Sequence, residues 1–110
     1  MQATHTLKWT KSAKDDLLDI ITRIKEDDSP TTAKNVYKKL RDKAQSSHFF
    51  PLKGRVVPEL QIEGIVHYRE IIVSPWRIIY KVGNDTVYIM SIIDSRQNLD
   101  DLLLKKILSK

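Results

Sequence analysis

Residues 65–93 decide the fold. They read Ile65-Val66-His67-Tyr68-Arg69-Glu70-Ile71-Ile72-Val73, then Ser74-Pro75, then Trp76-Arg77-Ile78-Ile79-Tyr80-Lys81-Val82, then Gly83-Asn84-Asp85, and from Val87 to Ile93 an almost unbroken apolar run. β-Branched and aromatic residues dominate each segment, and Pro or Gly-Asn-Asp separates them. The pattern predicts three strands, Ile65 to Val73, Trp76 to Val82 and Val87 to Ile93. Links this short make them antiparallel neighbours. The third strand is apolar enough to be covered on both faces.

Upstream, Leu7 and Trp9 alternate with Lys8, which suits a short strand over His5 to Thr10. Ser12 followed by Asp15 resembles a capping box, and Ala13, Leu17, Ile20, Ile21 and Ile24 recur at helical spacing. A first helix is expected over roughly 12–27. Ser29-Pro30 is a second helix start, and Ala33, Val36, Tyr37, Leu40 and Ala44 carry that helix to about residue 47. So short a joint makes the two helices an antiparallel hairpin. Phe49 and Phe50 are expected to plug the core at the helix end. Pro51 and Gly54 mark a loop, and Pro58 confines Val56 to Ile62 to an edge or loop. Asn98 is placed to cap a last helix with Leu102, Leu103, Leu104, Ile107 and Leu108 on one broad face. The predicted order is β-α-α-β-β-β-α. This is an α+β fold, a small antiparallel sheet with an N-terminal helical hairpin and a C-terminal helix, in one domain over 1–110.

Composition narrows the chemistry. The 110 residues contain no cysteine, which excludes disulfides, Cys-based zinc sites and thiol catalysis. His5, His48 and His67 lack metal-ligand spacing, and Gly54 and Gly64 make no phosphate loop. No metal and no cofactor are expected. Without a membrane-length apolar run or a signal-peptide core, the expectation is a cytoplasmic protein with no membrane partner. Asp15, Asp16 and Asp19 read as charges favoured by the start of the first helix.

The net charge of +5 is unevenly distributed. Residues 31–60 hold seven basic groups (Lys34, Lys38, Lys39, Arg41, Lys43, Lys53, Arg55) against Asp42 and Glu59, which equals the whole excess. Such a stretch is either a solvated helix face or an attractor for a polyanion or an acidic protein.

The sharpest signal is arginine inside strands. Arg69 and Arg77 each sit mid-strand, and a buried guanidinium is costly without a partner. One reading is structural, with Glu70 or Glu59 as partner. Strand alternation puts Arg69 and Glu70 on opposite faces, so those two neighbours do not pair easily. The other reading is functional, with both arginines projecting from the sheet as a cup for phosphate or carboxylate. Trp76 and Tyr80 share a face and read as core, with stacking on bases as the functional alternative. No complete acid–base set is visible, so enzymatic activity stays open.

Several strings in order carry a family likeness. They are Pro51-Leu52-Lys53-Gly54-Arg55, Val57-Pro58-Glu59-Leu60, Tyr68-Arg69-Glu70-Ile71, Pro75-Trp76-Arg77-Ile78-Ile79-Tyr80-Lys81-Val82 and Ile92-Ile93-Asp94-Ser95-Arg96. With Trp9-Thr10, Ala13 and Asp16-Leu17 they resemble the RelE/ParE toxin superfamily over roughly 7–104. The resemblance implies a toxin of a type II toxin–antitoxin system, tied to growth inhibition and plasmid stabilisation. It also implies a cognate antitoxin that lays an acidic or amphipathic segment over the toxin in a hetero-oligomer. RelE-like members are mRNA interferases that cut mRNA on the ribosome. On that pattern Arg77, Arg96 and Arg69 would be the catalytic residues, and Lys53, Arg55, Lys38 and Arg41 would bind nucleic acid or another target. Glu70 departs from that pattern, placing an acid beside a basic position, and the predicted last helix has no Tyr or His. ParE-like members instead poison DNA gyrase. The Tyr-Arg-Glu-Ile and Pro-Trp-Arg-Ile-Ile-Tyr strings favour the ParE type.

Overall fold

The computed structural model describes residues 5–96. The chain runs β1 (Thr6–Trp9), α1 (Lys11–Asp27), α2 (Pro30–Phe49), β2 (Arg55–Val56), α3 (Pro58–Gln61), β3 (Tyr68–Val73), β4 (Trp76–Val82) and β5 (Thr86–Asp94). One five-stranded sheet has the order β1-β5-β4-β3-β2. The pairs β2–β3, β3–β4 and β4–β5 are antiparallel, and β1 lies parallel to β5 at the edge. The fold is therefore α+β with a helical hairpin followed by the sheet, as the sequence predicts. The expected helix after Asn98 lies outside the described residues.

α1 and α2 start where hydroxyl side chains offer an acceptor. Ser29 accepts from the Thr32 amide at 3.1 Å and Pro30 opens α2. The start of α1 differs from expectation. Its cap is Thr10, which accepts from Ala13 N at 3.2 Å while its own hydroxyl donates to Ile89 O at 2.9 Å. One hydroxyl thus ends β1, starts α1 and ties the turn to β5, which leaves Ser12 inside the helix.

The sheet separates two apolar clusters. On one face Ala13, Leu17, Leu40 and Ala44 of the hairpin pack on Val73, Ile78, Tyr80, Val87, Ile89 and Ile92. On the other, Val57 and Leu60 pack with Tyr68, Ile79 and Ile93. Alternation along β4 sends Ile78 to the first cluster and Ile79 to the second. β5 serves both, as its apolar run suggests.

Three local expectations change. Val56 to Ile62 is not extended throughout, because Pro58 takes the first helical position of α3. Gly64, at φ +78°, ends this turn, and Ile65 N donates back to Leu60 O at 2.9 Å. That bond delays β3 to Tyr68. Phe50 stays 49% exposed instead of plugging the core, because the chain leaves α2 at Phe49.

Asp16 fastens α1 to the sheet, a role beyond the helix-dipole reading. Its Oδ2 accepts from Ser91 Oγ at 2.7 Å and from Ile92 N at 3.0 Å. Asp16→Ala should leave the Ile92 amide and Ser91 hydroxyl short of a partner and cost about 1–3 kcal/mol in urea unfolding. Asp15→Ala, which removes only an exposed pair with Lys11, should leave the midpoint unchanged.

Candidate functional site

Arg77 projects from β4 onto the sheet face that carries Ile79 and Ile93. Its Nε donates to Glu70 Oε1 at 2.6 Å, and Nη2 makes a further contact with the same carboxylate. Nη1 and Nη2 donate to Glu59 Oε2 and Oε1 at 2.7 and 2.8 Å, a two-pronged pairing of fork to carboxylate. Glu70 Oε2 also accepts from Arg55 Nε. The register explains the convergence. Arg55 faces Glu70 across β2–β3, Ile72 faces Arg77 across β3–β4, and α3 brings Glu59 over the pair. Two guanidiniums and two carboxylates form a neutral cluster. The Arg77 side chain is 6% exposed and that of Glu70 is fully buried.

Electrostatics follow the geometry. Hydrogen bonds from Arg77 hold the Glu59 carboxyl below its ordinary value of 4.5, against the opposing effect of burial. The same contact with Glu59, against burial and helped by Glu70, raises Arg77 further above its ordinary value. Among the described residues every buried side-chain polar atom has a partner.

Arg69, one residue before Glu70, faces the other way. Its Nη1 donates to Gly54 O at 2.7 Å and Leu52 O at 3.4 Å. Tyr80 holds the same loop, donating from its hydroxyl to Pro51 O at 2.8 Å and accepting from Gly54 N at 2.9 Å. Burial pushes the Tyr80 phenol up, so it keeps the proton it donates. A Cβ at Gly54 would lie 2.5 Å from Glu70 O and 2.6 Å from the Tyr80 oxygen, so only glycine fits beneath this loop. In sequence Tyr80 reads as core or as a ring for stacking on bases, and nothing local announces its hydroxyl as a loop clamp.

Two open grooves flank α1. One, of about 420 Å³, has an apolar lining of Trp9, Leu17, Leu18, Ile21 and Tyr37, with Lys14 and Arg41 at its rim. Arg41 stacks over the Tyr37 ring at 5.8 Å. The other, of about 470 Å³, holds Asp19, Asp27 and Asp28 with Trp76, Asp94 and Arg96. Among the described residues no group of three or more metal-ligating side chains forms, and no helix is long and apolar enough to cross a membrane.

The family model for the ParE toxin of the type II toxin–antitoxin system parDE matches residues 7–99. The chain belongs to the ParE toxin family. Two solved structures are similar in fold. One is a chromosomal ParDE TA system from P. aeruginosa, at 18% identity and a TM-score of 0.70, covering 83% of this chain and 96% of that one. The other is the toxin–antitoxin complex RelBE2 from Mycobacterium tuberculosis, at 17% identity and a TM-score of 0.59, covering 86% of this chain and 94% of that one. A search of curated proteins returns no match.

In this ParE-family chain the three arginines named for catalysis stand apart. Arg77 lies in the ion cluster on one sheet face. Arg69 is tied to loop carbonyls on the other. Arg96 follows β5 and pairs with Asp94, holding that carboxyl down at about 2. Asp94 faces Trp76 in the register, whereas Arg77 faces Ile93, so alternation separates Arg96 with its partner from Arg77. Of the two readings of Arg77, the cup projecting from the sheet gives way to internal pairing with Glu70 and Glu59, since its position away from water demands compensation. Lys53 and Arg55 lie exposed at the 50–55 loop, and Lys38 and Arg41 on the outer face of α2.

Arg77→Met should destabilise the protein by about 3–5 kcal/mol, because it strands two carboxylates, one of them fully buried. Glu59 supplies a pH signature. Its depressed value stabilises the fold fully above 4.5, and that contribution is lost as pH falls through the folded-state value. Urea midpoints of Glu59→Gln should lie below the parent's at neutral pH and converge with them in acid.

Proposed function

We propose that this toxin acts on a protein target in the ParE manner, poisoning DNA gyrase, and that an acidic amphipathic antitoxin neutralises it. The observation that supports this reading is the neutral cluster around Arg77. A ribonuclease that lacks a strong general base depends on cations placed about the scissile phosphate. Here Arg77 has both sides of its guanidinium occupied by Glu59 and Glu70. Arg69 and Arg96 are likewise engaged, and in separate places. The family model adds weight, since it is the ParE one. The alternative, RelE-like cleavage of mRNA on the ribosome, would require the cluster to open. Both targets place the toxin's work in the cytoplasm.

The antitoxin reading rests on surface chemistry. The groove of Trp9, Leu17, Leu18, Ile21 and Tyr37 offers apolar contact beside Lys14 and Arg41. Lys34, Lys38, Lys39 and Lys43 extend the positive surface along exposed α2. An amphipathic segment with carboxylates beside its apolar residues complements both.

Purified toxin should inhibit gyrase supercoiling and accumulate cleaved DNA, with no transcript cleavage at the ribosomal A site. Transcript cut at that site with gyrase unaffected would sink the proposal. Antitoxin affinity should fall as salt rises, because the attraction to α2 is screened. Salt-independent titrations would argue against the electrostatic part.

A further inference from the structure

The 50–55 loop holds an unusual combination of rigidity and exposed apolar surface. Its backbone is fixed from below at three carbonyls and one amide. Tyr80, wholly buried, engages Pro51 O and Gly54 N, while Arg69 engages Leu52 O and Gly54 O. Lys53 N closes the turn on Phe50 O at 3.0 Å. On this fixed base Leu52 stands 69% exposed and Phe50 49%. Lys53 is exposed between Leu52 and Gly54, and Arg55 keeps 60% of its side chain exposed although Nε is held by Glu70. Lone exposed apolar side chains are ordinary. Two on one loop that a buried tyrosine and a half-buried arginine immobilise, next to two cations, make a preformed contact surface.

We infer that the Phe50–Arg55 loop is the knob by which this toxin grips its target, inserting Leu52 and Phe50 into an apolar pocket of a protein whose rim carries carboxylates for Lys53 and Arg55. The inference rests on the toxin reading above and names the surface that reading leaves open. A protein pocket suits the knob better than a nucleic acid. Its most exposed apolar side chain is aliphatic and reads no base, Arg69 is engaged by the loop carbonyls, and Arg55 is partly neutralised, so the loop keeps few free cations to track a phosphate backbone. Preorganisation also explains why a tyrosine hydroxyl in the core is directed at a surface loop, since a loop already ordered loses little entropy on docking.

The test uses the full chain and three surface variants, Leu52→Asp, Phe50→Ser and Lys53→Glu. Each is assayed for growth arrest on induction, for inhibition of purified gyrase and for thermal midpoint. Leu52→Asp and Phe50→Ser should raise the concentration needed for gyrase inhibition about tenfold with little change in midpoint, and Lys53→Glu several-fold. If Leu52→Asp lowers the midpoint, Lys53→Glu decides, because among the described residues its exposed side chain makes no hydrogen bond or ion pair. Variants as potent as the parent overturn the inference while leaving the toxin reading intact. Loss of ribosome or RNA binding instead of gyrase inhibition overturns the choice of partner. A parent chain that arrests no growth removes the toxin reading and this inference with it.

Discussion

A guanidinium rooted in the fourth of five strands and shut away from water must find negative charge within reach, and much of the second sheet face is organised by that need. Arg77 obtains one carboxylate from the neighbouring strand and another from α3. The first requires β3 and β4 to hold their register, since Glu70 reaches Arg77 diagonally. The second requires the chain after β2 to turn back over the sheet, which Pro58 and Gly64 allow at the two ends of one short turn. Val57 and Leu60 then lie buried beside Ile79 and Ile93, so pairing and apolar burial hold α3 in the same place.

The opposite face solves a different problem. There the helical hairpin covers the sheet, and polar side chains act at its margins. Asp16 fastens α1 to β5, Thr10 ties the β1–α1 turn to β5, and Tyr80 with Arg69 fixes the loop that leaves α2. Each is a short polar tie between elements distant in sequence, and each satisfies backbone groups that would otherwise lose their hydrogen bonds on burial. The cationic surface of α2 stays outside these ties, available to a partner.

Burial and pairing also separate charge that folds the protein from charge that faces outward. Read in sequence, Arg55, Arg69, Arg77 and Arg96 look alike. In the fold, Arg77 is consumed by two glutamates and Arg69 by carbonyl oxygens, whereas Arg96 remains at the surface with Asp94. Only Arg55 both takes part in the cluster and extends into solvent. This sorting follows from which face of a strand each residue occupies and how far that face is covered.

The amino-acid order alone was enough to read three consecutive strands, the hairpin, the start of α2 at Ser29-Pro30 and the concentration of positive charge in the middle third. These depend on contacts between near neighbours, through periodicity, turn residues and capping. It also narrowed the partners of Arg77 to Glu59 or Glu70 without choosing, and the fold uses both. Tertiary structure decided the rest. The parallel seat of β1, the tie of Asp16 to Ile92, the grip of Tyr80 on Pro51 and the closure of Glu59 on Arg77 join groups 76, 29 and 18 residues apart in the last three cases. No local pattern encodes such meetings, because they exist only once strand register and helix packing have brought those side chains within hydrogen-bonding distance.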